Sequence, residues 1–467
     1  MTHAEQLAAF ICKTNYLYLS SRARVQLKIR VLDALGCAIG AIGSRPMQAI
    51  LTQTEEFGGA NLCTLIGAGK TAPDRAAFYN SALVRYLDFN DSYLAPQETC
   101  HPSDNLGAVL AACEYSGGTG SDFLTALAVA YQVQCRLSDV APVRAKGFDH
   151  TTQGAYAVAA GVSKALRLDP QRTANALAMA GTAFNSLRVT RTGTLSNWKG
   201  LAYANTAFGA THAAFLAMRG ITAPLEVFEG NKGFMETISG PFDIDWSRED
   251  LERVTQTIVK RYNAEIHSQS AIEGILELRE RQQFSPSSVE QVEVEIFDVA
   301  YRIIGGGEEG DKTTVETKEA ADHSLPYLIA VALLDGQVMP AQFLPDRVHR
   351  EDVQSLLHRV QVRPASDLSE RFPRELPCRL TVRLRDGRVF SIEKSDYQGF
   401  LTRPPDWNAA IRKFRFLSEP HTTRALRDEI IDAIENLEHM RIRDLARLLQ
   451  RTGAETKTCE EALHGII

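Results

Sequence analysis

The hydrophobic period of this chain changes once, and that change limits the fold more than any other feature. From residue 1 to about 262 the apolar residues recur at steps of three and four. Segment 24–42 carries Val25, Ile29, Leu32, Leu35, Ile39 and Ile42 on one helical stripe, with Lys28, Arg30 and Asp33 off it. Segments 121–133, 153–166, 170–183 and 202–218 repeat the pattern and are rich in alanine, which favours helix and lets helices approach closely. Such broadly apolar helices belong in the middle of a bundle. No strand-like alternation is expected between them.

After Val259 the period becomes two. Segment 289–297 (VEQVEVEIF) alternates Val292, Val294 and Ile296 with acids, as a half-buried strand does. Segment 360–363 is a second candidate strand. Segments 380–384 and 389–392 flank Asp386-Gly387, a hairpin signal read as a type I′ turn. Helices are expected at about 268–281, 317–334 and 350–358. Pro404-Pro405-Asp406 opens a last helical stretch to about 450, and the charged tail after Thr452 is expected to fray. The division is therefore helical 1–262, α+β 263–403, and helical 404–467.

Composition removes several function classes. Of 467 residues, 44% are hydrophobic and 23% charged, an ordinary globular balance. A net charge of -6 argues against a nucleic-acid or anionic-membrane surface. No apolar run reaches the roughly 18 residues that span a bilayer, and the first residues lack a basic or arginine-rich leader, so a cytoplasmic protein is expected. The eight cysteines are scattered with no C-x-x-C pair, which favours free thiols over an iron–sulfur cluster.

Three polar clusters interrupt the apolar pattern. The first joins Asp88, Asn90, Asp91 and Ser92 to His101, Ser103, Asp104 and Asn105. Spacing alone favours a plain reading, in which Asp104 or Ser103 caps the next helix and Asp88 caps a turn. The alternative is a catalytic loop held between rigid helices. The second spans 188–200, with Arg188, Arg191, Lys199 and four hydroxyls. Arginine forks suit carboxylates, and a lysine at a helix start is unfavourable unless it meets an anion. An exposed basic loop fits equally. The third is 260–270, where Lys260, Arg261, Glu265 and His267 sit at the change of period. A polar hinge competes there with a binding cleft. His150 and His323 each follow an aspartate at an expected helix start, so a capping role is the better reading for both. Gly305-Gly306-Gly307 reads as a flexible turn rather than a phosphate loop, because Glu308 and Glu309 would repel the phosphate. No segment has metal-ligand spacing.

Seven ordered segments together resemble the MmgE/PrpD family, and most closely its 2-methylcitrate dehydratase branch. They are LDFND at 87–91, HPSDN at 101–105, GFDH at 147–150, LRVTRTGTLSNWKG at 187–200, FEGNKGF at 228–234, AEIHSQSAIE at 264–273 and ADHSLPY at 321–327. The resemblance implies a mainly α fold: a large all-helical domain formed by both chain ends (1–262 and 404–467) with an inserted smaller α+β lid (263–403). It also implies a homodimer that uses no metal or other cofactor. Residue by residue, it implies catalytic roles for Asp88, His101, Lys199, His267 and Tyr301, with Ser92 in place of a threonine of the decarboxylase branch. Cis-aconitate decarboxylases carry a histidine where this chain has Glu265, and here the imidazole comes two residues later.

The implied activity is dehydration of 2-methylcitrate, and of citrate, in propionate catabolism. That chemistry takes a weakly acidic proton from carbon, protonates a departing hydroxyl and clamps carboxylates. Lys199, Arg188 and Lys260 are the expected clamp, with Asp91, Ser92 and Glu265 as further substrate contacts. Asp88 with His101 forms one acid/base pair, and His267 supplies the second group. The competing readings are decarboxylation of cis-aconitate or epimerisation of a related dicarboxylate, and, in another class, a non-catalytic helical scaffold.

Overall fold

The computed structural model describes residues 1–453, and the expected fraying of the charged tail lies almost wholly outside them, as does Cys459. Helix makes up 59% of the described residues and strand 9%, so the fold is mainly α. The chain divides into two compact units. The first holds Met1–Arg188, Gly200–Thr257 and the described residues from Asp406 onward; the second holds Val189–Lys199 and Ile258–Pro405.

In the helical unit, local signals set the helix starts. Thr2 with Glu5 and Thr119 with Asp122 form capping boxes for His3–Lys13 and Gly120–Val140. Asp169 caps Pro170–Ala183, whose proline stands at the helix start, where no hydrogen bond is lost. The alanine-rich helices are buried nearly all round, as Gly120–Val140 and Thr151–Ala165 show. Close approach explains their small residues. A Cβ on Gly107 would lie 2.4 Å from the Ser81 nitrogen, and one on Gly120 only 1.7 Å from the Leu437 carbonyl oxygen.

The two chain ends meet in this unit. Lys413, on Trp407–Ser418, pairs with buried Asp33 of Ser21–Gly40 at 2.7 Å. Its ammonium also donates to the Phe89 carbonyl at 2.7 Å. Removing one partner of such a buried pair costs about 3–5 kcal/mol. The expected stripe of Ser21–Gly40 needs one correction. Val25 is 52% exposed, whereas Ala23 and Leu27 on either side of it and Ile29, Leu32, Leu35 and Ile39 are buried, so the buried face at the helix start runs through 23 and 27 and not through 25. Two short ladders also escaped the periodicity: Cys63–Thr64 with Lys70–Thr71, and Tyr93–Leu94 with Thr99–Cys100. Two residues are too few to alternate.

The second unit is built on a four-stranded sheet. Val289–Ile296 pairs in parallel with Val360–Pro364 and antiparallel with Cys378–Leu384, which in turn pairs antiparallel with Val389–Lys394. Val292, Val294, Ile296, Leu380 and Val382 form the buried face, and Gln269–Gln282 and Leu325–Asp335 pack in the same unit. The acids on the other face find arginines. Arg379 meets Glu295 at 2.7 Å and Glu393 at 3.1 Å, and Arg363 meets Glu295 at 3.1 Å.

The hairpin turn differs from the expected type I′. Gly387 alone has a positive φ, of 88°, and the Leu384 N–H donates to the Arg388 carbonyl at 2.9 Å. The loop is therefore a three-residue turn closed by a left-handed glycine, for which aspartate need not leave the right-handed region. The single helix expected over 317–334 is broken into Lys318–Ala321 and Leu325–Asp335. Ser324 caps the second piece and Pro326 cannot continue the first, so Asp322 and His323 fall in the gap. The last stretch is likewise three helices, Trp407–Ser418, Arg424–Glu435 and Ile442–Arg451. No described helix is long and apolar enough to cross a membrane.

Candidate active site

The helix Pro73–Tyr86 delivers the first cluster. It ends at Leu87, and Asp88 follows with φ of 56°. That left-handed conformation costs an ordinary residue roughly 1–2 kcal/mol, and aspartate adopts it more readily than most. Asp88 Oδ1 accepts from Arg85 Nη1 at 2.6 Å. The same nitrogen reaches Asn90 Oδ1 at 3.3 Å, and Arg85 Nε lies 3.8 Å from Asp104 Oδ2. Asn90 Nδ2 donates to Ser103 Oγ and Asp104 Oδ1, each at 2.8 Å. The expected capping by Ser103 or Asp104 is absent, since Leu106–Tyr115 has no side-chain cap and both groups are committed to Asn90.

His101 sits among these residues with Nδ1 2.9 Å from the Asp91 carbonyl oxygen and 3.0 Å from Ser92 Oγ. A carbonyl oxygen only accepts, so Nδ1 carries the proton in the neutral ring. Nε2 is then the atom that gains or loses one. The His150 ring stands edge-on to it at 5.3 Å. Asp91, expected as a substrate contact, is held by protein groups on both carboxylate oxygens. It has no exposed surface, and its oxygens accept from the Ser103 N–H at 3.0 Å and the Tyr131 hydroxyl at 2.7 Å. Ser92 is equally buried, with its hydroxyl on the His101 ring.

Arg188 has its Nη1 3.7 Å from Asp149 Oδ2. Asp149 also accepts from the Thr151 N–H at 3.2 Å, so the aspartate rather than His150 serves the helix start. Burial pushes the Glu98 carboxyl up, against Arg188 and the N–H groups of Val143 and Arg144.

In the second unit the helix gap brings charges together. Asp322 Oδ1 accepts from Lys199 Nζ at 2.6 Å and lies 2.8 Å from His323 Nδ1, while Oδ2 accepts from Lys318 Nζ at 2.9 Å. Burial opposes ionisation of Asp322, but Lys199, Lys318 and His323 outweigh it and hold the carboxyl far below its usual range. The capping reading of His323 thus gives way, because Ser324 caps the helix and His323 turns to Asp322.

The Glu265 N–H donates to the Asp322 carbonyl at 3.0 Å, which ties this cluster to the next. Glu265 Oε2 accepts from the His267 N–H at 2.7 Å, and Oε1 from His267 Nδ1 at 2.6 Å. Burial would raise the Glu265 carboxyl. His267, His323 and Lys260 overcome that and bring it down to about 2. An ionised Glu265 fixes the proton on His267 Nδ1. Nε2 is buried with no hydrogen-bond partner among the described residues, and the ring lies near Phe297 and Phe372. Glu265, expected as a substrate contact, thus has both of its carboxylate oxygens on His267.

Lys260 is 1% exposed. Lys312, buried nearby, donates to the Glu309 carbonyl at 3.4 Å, and burial pushes its ammonium down. Tyr301 lies in Asp298–Ile304, in the helix after the first strand, and packs on the glycine turn: a Cβ on Gly305 would be 2.8 Å from its Cδ2. The structure thus gathers Asp88, Asp91, Ser92 and His101 in the first unit, and Lys199, Glu265 and His267 in the second. Arg85, Asp322, Lys318 and Lys312 were missed. Only Asp322 left a signal, the acid before His323 in ADHSLPY.

Residues 5–247 match the MmgE/PrpD N-terminal domain and residues 262–439 the MmgE/PrpD C-terminal domain. The chain is 25% identical to cis-aconitate decarboxylase of Mus musculus over 88% of its length and 86% of that protein. It is also 25% identical to 2-methylcitrate dehydratase of Escherichia coli K12 over 77% of the chain and 78% of the relative. The probable 2-methylcitrate dehydratase of Saccharomyces cerevisiae is 25% identical over 79% and 76%. These relatives are named as dehydratases and a decarboxylase, which supports an enzyme. With one family model covering more than half of the chain and a second covering most of the rest, the protein belongs to the MmgE/PrpD family.

Proposed function

We propose that this chain is a hydro-lyase that removes water from 2-methylcitrate, and from citrate, as a step of propionate catabolism. The observation that carries this reading is the Glu265–His267 dyad, linked to the Lys199 ammonium through Asp322, whose backbone carbonyl accepts from Glu265 and whose carboxylate accepts from Lys199. A buried imidazole with one nitrogen held by an ionised carboxylate and the other unpartnered is built to move a proton at Nε2. A buried ammonium in the same cluster suits a carboxylate.

In this reading Lys199 and Lys260 hold substrate carboxylates and stabilise the charge that develops when the C–H proton leaves. His267 and His101 take the two proton-handling roles, one accepting from carbon and one donating to the departing hydroxyl. Asp88, Arg188 and Tyr301 complete the proposed site. The chain acts as a homodimer, without metal or other cofactor.

Decarboxylation of cis-aconitate is the second reading, favoured by the longer match to the mouse relative. It loses carbon dioxide instead of water and needs only one proton donor. Incubation with 2-methylcitrate, citrate, cis-aconitate and iminodisuccinate, with products resolved by mass spectrometry, tests both. Loss of water from 2-methylcitrate is expected. Carbon dioxide release from cis-aconitate alone would replace the dehydratase reading by the decarboxylase one. Epimerised iminodisuccinate alone would point to an epimerase, and no conversion of any acid would leave a non-catalytic scaffold.

A further inference from the structure

We propose that Tyr131, with Asp91, is a positioning device that sets the tautomer of His101. The inference rests on the reading of His101 as a proton-transfer group. Tyr131 lies on Gly120–Val140, remote in sequence from the 88–101 loop, and its hydroxyl donates to Asp91 Oδ2 at 2.7 Å. Asp91 Oδ1 accepts from the Ser103 N–H at 3.0 Å. The carboxylate is thus held from both sides, by a helix and by the turn that follows His101. Its own backbone carbonyl is the group that meets His101 Nδ1 at 2.9 Å, with Ser92 Oγ at 3.0 Å from the same nitrogen.

A neutral imidazole in water favours the proton on Nε2. Here the fixed carbonyl reverses that preference, because a second lone pair at Nδ1 would face the carbonyl oxygen directly. Nε2 is then the basic atom. The Asp91 side chain touches no reacting group in this scheme. Its work is to hold the peptide oxygen of its own residue in place, and Tyr131 holds the side chain. Arg30 and Asp33 complete the charged surroundings of Asp91. All the groups in the chain of contacts are buried, so water cannot take the place of a lost hydrogen bond without opening the loop.

The test uses the full-length protein labelled with 15N in histidine, the His101 signals being identified by their loss in His101→Asn. In the parent, the neutral His101 ring should carry its proton on Nδ1. Tyr131→Phe removes one hydroxyl from the core and keeps the ring. It should move the His101 signals toward the Nε2–H form and lower turnover on the order of tenfold, with the Michaelis constant within about twofold. Asp91→Asn is the second variant and should move the signals the same way. A parent ring protonated on Nε2 would overturn the proposal. So would a Tyr131→Phe protein that keeps the Nδ1–H form and parental turnover. If His101→Asn itself turns over at the parental rate, the catalytic reading of His101 fails, and the proposal that depends on it falls for that separate reason.

Discussion

Replacing Glu265 by glutamine isolates the buried dyad. The carboxylate accepts two hydrogen bonds from His267, at 2.6 and 2.7 Å, and is held near 2 against an ordinary 4.5. At about 1.4 kcal/mol per pH unit, that gap is worth roughly 3 kcal/mol of stability at neutral pH. The sign follows from linkage. The folded carboxyl is the stronger acid, so the contribution is present above about pH 4.5 and is lost as pH falls toward about 2; roughly half should remain near pH 3.3. Glu265→Gln keeps the shape and one acceptor oxygen but removes the charge.

Urea unfolding of parent and variant at pH 7, 5 and 3.5 measures the difference. About 3 kcal/mol is expected at pH 7, shrinking at the lowest pH, where the parent loses what the variant never had. Turnover should fall by on the order of tenfold to a hundredfold, because the imidazole loses its orienting carboxylate. A stability difference that stays constant from pH 7 to 3.5 would refute the electrostatic account. Parental turnover in a folded variant would refute the orienting role.

Four further outcomes follow from the same contacts. Lys199→Ala should weaken substrate binding and lower the rate together, since an ammonium clamp acts before and in the transition state; steady-state kinetics on the accepted acid checks this. His101→Asn should lower turnover by on the order of a hundredfold with a near-parental Michaelis constant, and a folded variant at the parental rate would move the proton chemistry to Glu265 and His267. Asp322→Asn leaves Lys199 and Lys318 without their shared carboxylate, and should lower the thermal midpoint along with activity, at a cost of about 3–5 kcal/mol. Dialysis against a chelator should leave activity unchanged, and loss restored by one metal would contradict the proposed metal-free site.

Periodicity alone determined the mainly helical class, because a 3.6-residue repeat of apolar side chains can bury itself only as helix. It also located Val289–Ile296, whose two-residue repeat survives intact, and Pro170–Ala183, where Asp169 and Pro170 write the start into the chain. The short ladders at 63–71 and 93–100 were not legible, being too brief to show a period. Val25 continues the stripe in sequence yet faces solvent, because whether a stripe is covered depends on what else packs there. At the hairpin, Asp-Gly announced a turn but not its type, which depends on how many residues the paired strands leave over.

The site divides along the same line. Asp88, His101, Lys199 and His267 stood out as reactive residue types in polar segments of an apolar chain. Their partners Arg85 and Tyr131 did not, because they look like ordinary helix residues until the fold brings them to the groups they hold. Glu265 could be read equally as a substrate ligand, and its two hydrogen bonds to His267, on which the proposed orienting role rests, exist only in the fold. Asp322 is the clearest case. Pro326 breaks the helix by local chemistry alone, whereas the sequence separation of 123 between Lys199 and Asp322 is closed by tertiary packing, and the charge pairing that defines the cluster exists only once it is.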